Sequence, residues 1–170
     1  MFFKIASACQ TCYVMNIVLL ESLGISENSL KECAKPFLDA GHTFTAYEKN
    51  TDPAVQIERA KDADVIMIAN MPLSGEVIRA CRHLKYIDVA FTGVDHVDLA
   101  AAKEKSIAVS NAAGYSTQAV AELSVGMMLS LLRNIPQVDA RCREGKTKDG
   151  LVGSELGSKT VGIVGTGAIG

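Results

Sequence analysis

Short apolar runs alternate along this chain with stretches whose hydrophobic residues recur at helical spacing. "MNIVLL" (residues 15–20) is a nearly unbroken apolar run, the pattern of a parallel strand covered on both faces. Between Ser29 and Ala40, residues Leu30, Cys33, Ala34, Phe37 and Leu38 share one helical face, and Gly41 supplies the stop. "HTFTAY" (residues 42–47) alternates and is rich in β-formers, which predicts a second strand. Asp52-Pro53 opens a helix to about Ala60, with proline at its favoured first position. "DVIMIA" (residues 64–69) predicts a third strand, followed by a helix led by Ser74. "KYIDVAF" (residues 85–91) predicts a fourth strand, Asp98 caps a short helix to Lys105, and "IAVS" (residues 107–110) predicts a fifth. Strands separated by helices at this spacing predict an α/β protein with a doubly wound parallel sheet.

The pattern changes after Asn111. Gln118–Arg133 reads as one long helix with Ser116 or Thr117 at its N-cap, and apolar residues occupy nearly every face. A helix apolar all round is expected to be buried all round, here between domains or between subunits. A polar stretch follows, and "TVGIV" (residues 160–164) predicts a sixth strand. Met15 starts the first strand with its own initiator residue, so residues 1–14 read as an extension, poorly ordered or loosely attached. Residues 15–110 then form one α/β domain, and residues 111–170 begin a second.

Composition narrows the function. The chain has 170 residues, 48% hydrophobic and 21% charged, with a formal net charge of −2. Nothing in that balance or in the scattered Lys and Arg suggests nucleic acid or an anionic membrane as a partner. No apolar stretch approaches the roughly 20 residues needed to cross a bilayer. The five cysteines, Cys9, Cys12, Cys33, Cys81 and Cys142, are odd in number and irregularly spaced, which argues for a reducing, cytoplasmic setting over a disulfide framework. Cys9 and Cys12 form a C-x-x-C with no second ligand pair at zinc spacing, so they read as two incidental thiols and no metal site is expected.

Three stretches carry chemistry. Gly165-Thr166-Gly167-Ala168-Ile169-Gly170 fits G-x-G-x-x-G directly after an apolar run. In such a loop the first glycine permits a tight turn, the second lets backbone approach a pyrophosphate, and the third lets a following helix pack close. "AFTGVDHVD" (residues 90–98) places small residues at the C-terminal end of a parallel strand, where backbone N–H groups can hold a carboxylate. "NAAGYSTQAVAEL" (residues 111–123) combines a flexible Gly114, the phenol of Tyr115 and a helix cap at the domain boundary. Each stretch alone is also compatible with an ordinary turn or helix start.

In order and spacing, "FTGVDHVDLAAAKEKSIAVSNAAGYSTQAVAELSVGMMLSLLRNI" followed by "LGSKTVGIVGTGAIG" resembles the D-isomer-specific 2-hydroxyacid dehydrogenases, from Met15 to Gly170. The resemblance implies a flavodoxin-like substrate domain followed by the start of a Rossmann NAD-binding domain. It implies hydride transfer between NAD (or NADP) and a small 2-keto or 2-hydroxy acid, either hydroxypyruvate/glycerate or pyruvate/lactate, with 3-phosphoglycerate behind them. By matching positions, Thr92 and Gly93 would bind the substrate carboxylate with Tyr115 nearby. Thr117 would lie near the nicotinamide, and Gly165, Gly167, Ala168, Ile169 and Gly170 would line the pyrophosphate. A homodimer of the full-length protein is implied, and the apolar helix suits it. An alternative within the superfamily is a corepressor-like NAD sensor.

The family's catalytic arginine, glutamate and histidine lie beyond the glycine loop, so no catalytic residue is assigned here. The chain reads as the front half of an enzyme and is expected to be inert by itself. Of its histidines, His42 and His83 read as surface residues and His96 as a neighbour of the substrate loop.

Overall fold

The computed structural model describes residues 13–170, so the C-x-x-C pair and most of the expected extension lie outside the described residues. The chain divides between Ala113 and Gly114 into two compact units. In the first, five strands form one all-parallel sheet: β1 (Asn16–Leu19), β2 (Thr43–Ala46), β3 (Val65–Ile68), β4 (Tyr86–Val89) and β5 (Ala108–Asn111). Their order is β2-β1-β3-β4-β5, the flavodoxin-like doubly wound arrangement expected from the sequence.

Four helices connect the strands: α1 (Glu27–Asp39), α2 (Pro53–Ala60), α3 (Gly75–Ala80) and α4 (Leu99–Glu104). Each begins at a side-chain cap. Ser26 Oγ accepts from Ser29 N, Asp52 Oδ1 from Ala54 N, Ser74 Oγ from Val77 N and Asp98 Oδ1 from Ala101 N. The caps at Asp52, Ser74 and Asp98 are those the sequence predicts. The first helix starts two residues before Ser29, because Ser26 rather than Ser29 satisfies its orphan amides.

Register explains the core. Val18 pairs with Ile66, Ile66 with Ile87, and Ile87 with Val109, forming one row across the sheet. Ile66 and Ile87 are sealed from solvent and pack with Ala60, Val77, Ile78, Ala101 and Ala102 of α2, α3 and α4. The next row, Leu19–Met67–Asp88–Ser110, points to the opposite face and turns polar towards β5. There Tyr86 Oη donates to Ser110 Oγ (2.6 Å), and Ser110 Oγ donates to Asp88 Oδ1 (3.0 Å).

At the N-terminal end of the sheet, Asp64 ties three strands together. Its carboxylate accepts from Asn16 N (2.9 Å), Lys85 Nζ (2.9 Å) and Tyr13 Oη (3.4 Å), and the Tyr13 ring lies 3.7 Å from Lys85 Nζ. Tyr13 is therefore anchored, although it falls within the stretch read as an extension. Burial alone would raise the Asp64 pKa, but the Asn16 amide, the Lys85 ammonium and the Tyr13 hydroxyl outweigh it and hold the carboxyl below its usual value. A depressed folded-state pKa adds stability that is present above the unfolded value and is lost as pH falls through the folded one. Asp64→Asn is expected to lower stability by about 2 kcal/mol at pH 7. It should also flatten the stability loss on acidification below the usual carboxylate range, read by urea unfolding across a pH series.

Cys81 is fully buried, and burial pushes its thiol up to about 11. Cys33 and Cys142 are exposed, and Cys33, Cys81 and Cys142 are all free thiols. Peptide mapping after iodoacetamide at pH 8 is expected to find Cys33 and Cys142 alkylated and Cys81 untouched.

The second unit holds α5 (Thr117–Leu132) and α6 (Ile135–Arg143), separated by Asn134 in the left-handed region at φ 53°. The structure gives α5 no covering surface within this unit. No residue of α5 is buried, and Leu123, Met127 and Leu131 form an exposed stripe at four-residue spacing. Its apolar surface has nothing to pack against within a unit that contributes only one further helix. Ser116 stands at the N-cap position, but its side chain makes no capping bond. The sixth strand does not form either. Residues 160–164 are irregular and exposed, Val164 completely so. A lone extended segment cannot satisfy its own backbone, and the described residues of this unit include no strand to pair with it.

Candidate functional site

The C-terminal ends of β1, β3 and β4 carry the loops on which parallel sheets place ligands. At the switch point between β1 and β3 sits Glu21, 2% exposed, a residue that no sequence motif marks. Its Oε1 accepts from Ala69 N and Met71 N, both at 2.7 Å, and Lys49 Nζ lies 3.5 Å from Oε2. A carboxylate of the chain itself thus takes the amides that an incoming anion would use there. Gln56, equally buried, donates to Asn50 O (3.0 Å) and Pro72 O (3.3 Å), tying the β2–α2 loop to the β3–α3 loop. Only long-range folding buries these two polar side chains, so no local pattern announces them.

The loop after β4 remains open to a ligand. Thr92 is exposed and Gly93 half-buried, directly beyond the strand end. Asn111 Nδ2 donates to Thr92 O (2.7 Å), which turns that carbonyl towards β5. The loop is zipped to the β3–α3 loop at both ends, by Ala90 N to Ile68 O (2.7 Å) and by a parallel bridge between Leu73 and Val97. Gly75 at the start of α3 has to be glycine, since a Cβ there would collide with the Asp98 carboxylate and the Arg79 guanidinium.

His96 lies in this loop. Its Nε2 is the one buried side-chain nitrogen or oxygen without a hydrogen-bond partner among the described residues. The other histidines are elsewhere. His42 Nδ1 accepts from Met15 N near the starts of β1 and β2, and His83 lies between α3 and β4.

Tyr115, Thr117 and the glycine loop belong to the second unit. Tyr115 is exposed, and Thr117 is the first residue of α5. Gly165 adopts φ +97°, a conformation side chains rarely take, and a Cβ on Gly170 would collide with the Gly165 carbonyl. Two of the three glycines are thus required by the backbone itself, which fits a loop shaped for close approach of a dinucleotide. Residues 160–164, directly before the loop, form no strand. No helix of the described residues is long and apolar enough to cross a membrane, and these residues contain no cluster able to hold a metal ion.

An all-parallel sheet of this order, with an open backbone loop at the end of β4, defines a doubly wound α/β protein with a candidate anion crevice. The family model of the D-isomer-specific 2-hydroxyacid dehydrogenase catalytic domain matches residues 17–166, and the chain belongs to this family. It is 42% identical over 116 residues to a D-3-phosphoglycerate dehydrogenase of Methanocaldococcus jannaschii, covering 67% of this chain and 22% of that protein. The human enzyme of the same name is 34% identical over 145 residues, 84% of this chain and 27% of that one. Among solved structures, the apo D-lactate dehydrogenase of Escherichia coli superposes with a TM-score of 0.72 at 28% identity, covering 91% of this chain and 49% of that one. An NAD+-bound 3-phosphoglycerate dehydrogenase of Entamoeba histolytica does so with a TM-score of 0.65 at 33% identity, covering 71% and 40%. An acyclic imino acid reductase in complex with NADPH and D-Arg reaches a TM-score of 0.77 at 26% identity, covering 91% and 50%. The chain spans half or less of the length of each of these proteins.

Proposed function

We propose that this chain is the substrate-binding part and the opening of the nucleotide-binding part of an NAD(P)-dependent oxidoreductase acting on a small 2-hydroxy or 2-keto acid. Its substrate pair is hydroxypyruvate/glycerate or pyruvate/lactate. The observation that carries this reading is the open Thr92-Gly93 turn at the end of a central parallel strand, while Glu21 closes the neighbouring switch point to anions. The backbone N–H groups of Thr92 and Gly93 hold the substrate carboxylate, with Tyr115 contributing to the substrate site. Gly165, Gly167, Ala168, Ile169 and Gly170 line the pyrophosphate, and Thr117 lies near the nicotinamide. When bound, the nicotinamide supplies or accepts the hydride. The exposed stripe of α5 supports pairing of two copies in the full protein.

The test is an amide-shift titration of the 15N-labelled chain. Hydroxypyruvate or pyruvate is expected to move Thr92 and Gly93, and NAD+ to move Gly165, Gly167 and Gly170. Shifts confined to other residues would remove the reading. Gly165→Val, forced out of φ +97°, is expected to weaken the NAD+ response by roughly 5- to 150-fold, the range that follows from roughly 1–3 kcal/mol of backbone strain.

A further inference from the structure

We infer that the rim of this sheet selects an acid whose far end carries no phosphate, and that Glu21 is the residue that sets this selectivity by withholding Lys49. The inference rests on the Thr92-Gly93 loop being the carboxylate site. Two cations reach the rim from the β2 side, and both are engaged. Arg59 donates to Glu48 O at 2.7 Å and lies 4.7 Å over the Tyr47 ring. Lys49 Nζ donates to Asn70 Oδ1 at 3.0 Å and pairs with Glu21 Oε2 at 3.5 Å. Glu21 cannot swing away from it, because the other oxygen of the same carboxylate is fixed by the Ala69 and Met71 amides.

A third cation, Arg79 beside Gly75 at the start of α3, is paired with Glu104 at 3.1 Å, and exposed acids stand on the same rim. Glu48 and Asp95 are exposed, and Asp95 Oδ2 stands 3.6 Å from where a Cβ on Gly93 would be, beside the candidate carboxylate site itself. A single carboxylate can be held there by uncharged backbone donors, and a hydroxymethyl or methyl end needs no cation. A phosphate brings nearly two further negative charges at neutral pH and meets acids plus a lysine already neutralised. Selectivity of this kind is achieved by an unfavourable partner for the competitor. Relatives named for 3-phosphoglycerate are 34–42% identical to this chain over the aligned residues, so a shared fold is compatible with either ligand.

The test compares D-glycerate with 3-phospho-D-glycerate by amide-shift titration of the 170-residue chain at matched ionic strength. Glycerate is expected to move Thr92 and Gly93, and phosphoglycerate to bind no more tightly and leave Lys49 and Asn70 in place. Glu21→Gln, which frees Lys49 and removes a charge, should raise phosphoglycerate affinity roughly tenfold while glycerate affinity stays within about twofold. Asn70→Ala loosens Lys49 without touching the buried carboxylate, and should shift the ratio in the same direction by less. It keeps the test decisive if Glu21→Gln does not fold. Tighter binding of phosphoglycerate by the unaltered chain, with Lys49 moving, overturns the inference alone. An unchanged ligand ratio in the folded variants does the same. Failure of both acids to move Thr92 and Gly93 overturns the carboxylate site and the inference together.

Discussion

Purified alone, the 170-residue chain is expected to oxidise no NADH above background with pyruvate, hydroxypyruvate or glyoxylate. Reduction of a 2-keto acid needs a proton for the developing alkoxide, and a positioned general acid contributes typically 10²–10⁴-fold. The chain's histidines do not meet that need. His42 is bound to the Met15 amide near the N-terminal edge of the sheet, and His83 lies between α3 and β4. His96 is in the right loop, but its Nε2 is closed off from solvent. A stopped assay with millimolar ketoacid decides the matter, and turnover that scales with chain concentration would refute it.

Ile66→Ala is expected to destabilise the first unit by about 3–4 kcal/mol, the larger part of what a marginally stable domain possesses. Ile66 is sealed from solvent at the middle of the sheet, in register with Val18 and Ile87, and belongs to the main apolar cluster. Removing three carbons there leaves a cavity that strands locked on both sides cannot close. Met67→Ala, one residue along and half-exposed on the other face, should change stability by about 1–2 kcal/mol. Urea unfolding of both variants checks the contrast, and equal losses would show that the two faces are packed alike.

The parallel sheet was legible because its inner strands are apolar on consecutive positions, and its helices because Asp52, Ser74 and Asp98 announce their own caps. Residues 160–164 misled for a reason the same physics explains. Apolar β-formers state a preference for extended backbone, but a strand exists only where a neighbour accepts its hydrogen bonds. The all-round apolar helix was read correctly as a helix, and the cover expected for it, a second domain or subunit, is not supplied by its own unit. Thr92 and Gly93 were singled out by the family resemblance, since a small-residue turn after a strand is by itself compatible with an ordinary connection. Glu21, Lys49 and Gln56 could not be, because each has a partner 16 to 50 positions away on another loop.

The bridge between Leu73 and Val97, made by Leu73 N to His96 O and Asp98 N to Leu73 O, fastens the two loops of the crevice into a single hydrogen-bonded seam. A molecule settling on the β4 side therefore cannot displace that wall without dragging the other with it. Occupancy at one lip should register as altered amide exchange at Met71, and damage to the Glu21 anchor should loosen the opposite lip before any direct contact is lost.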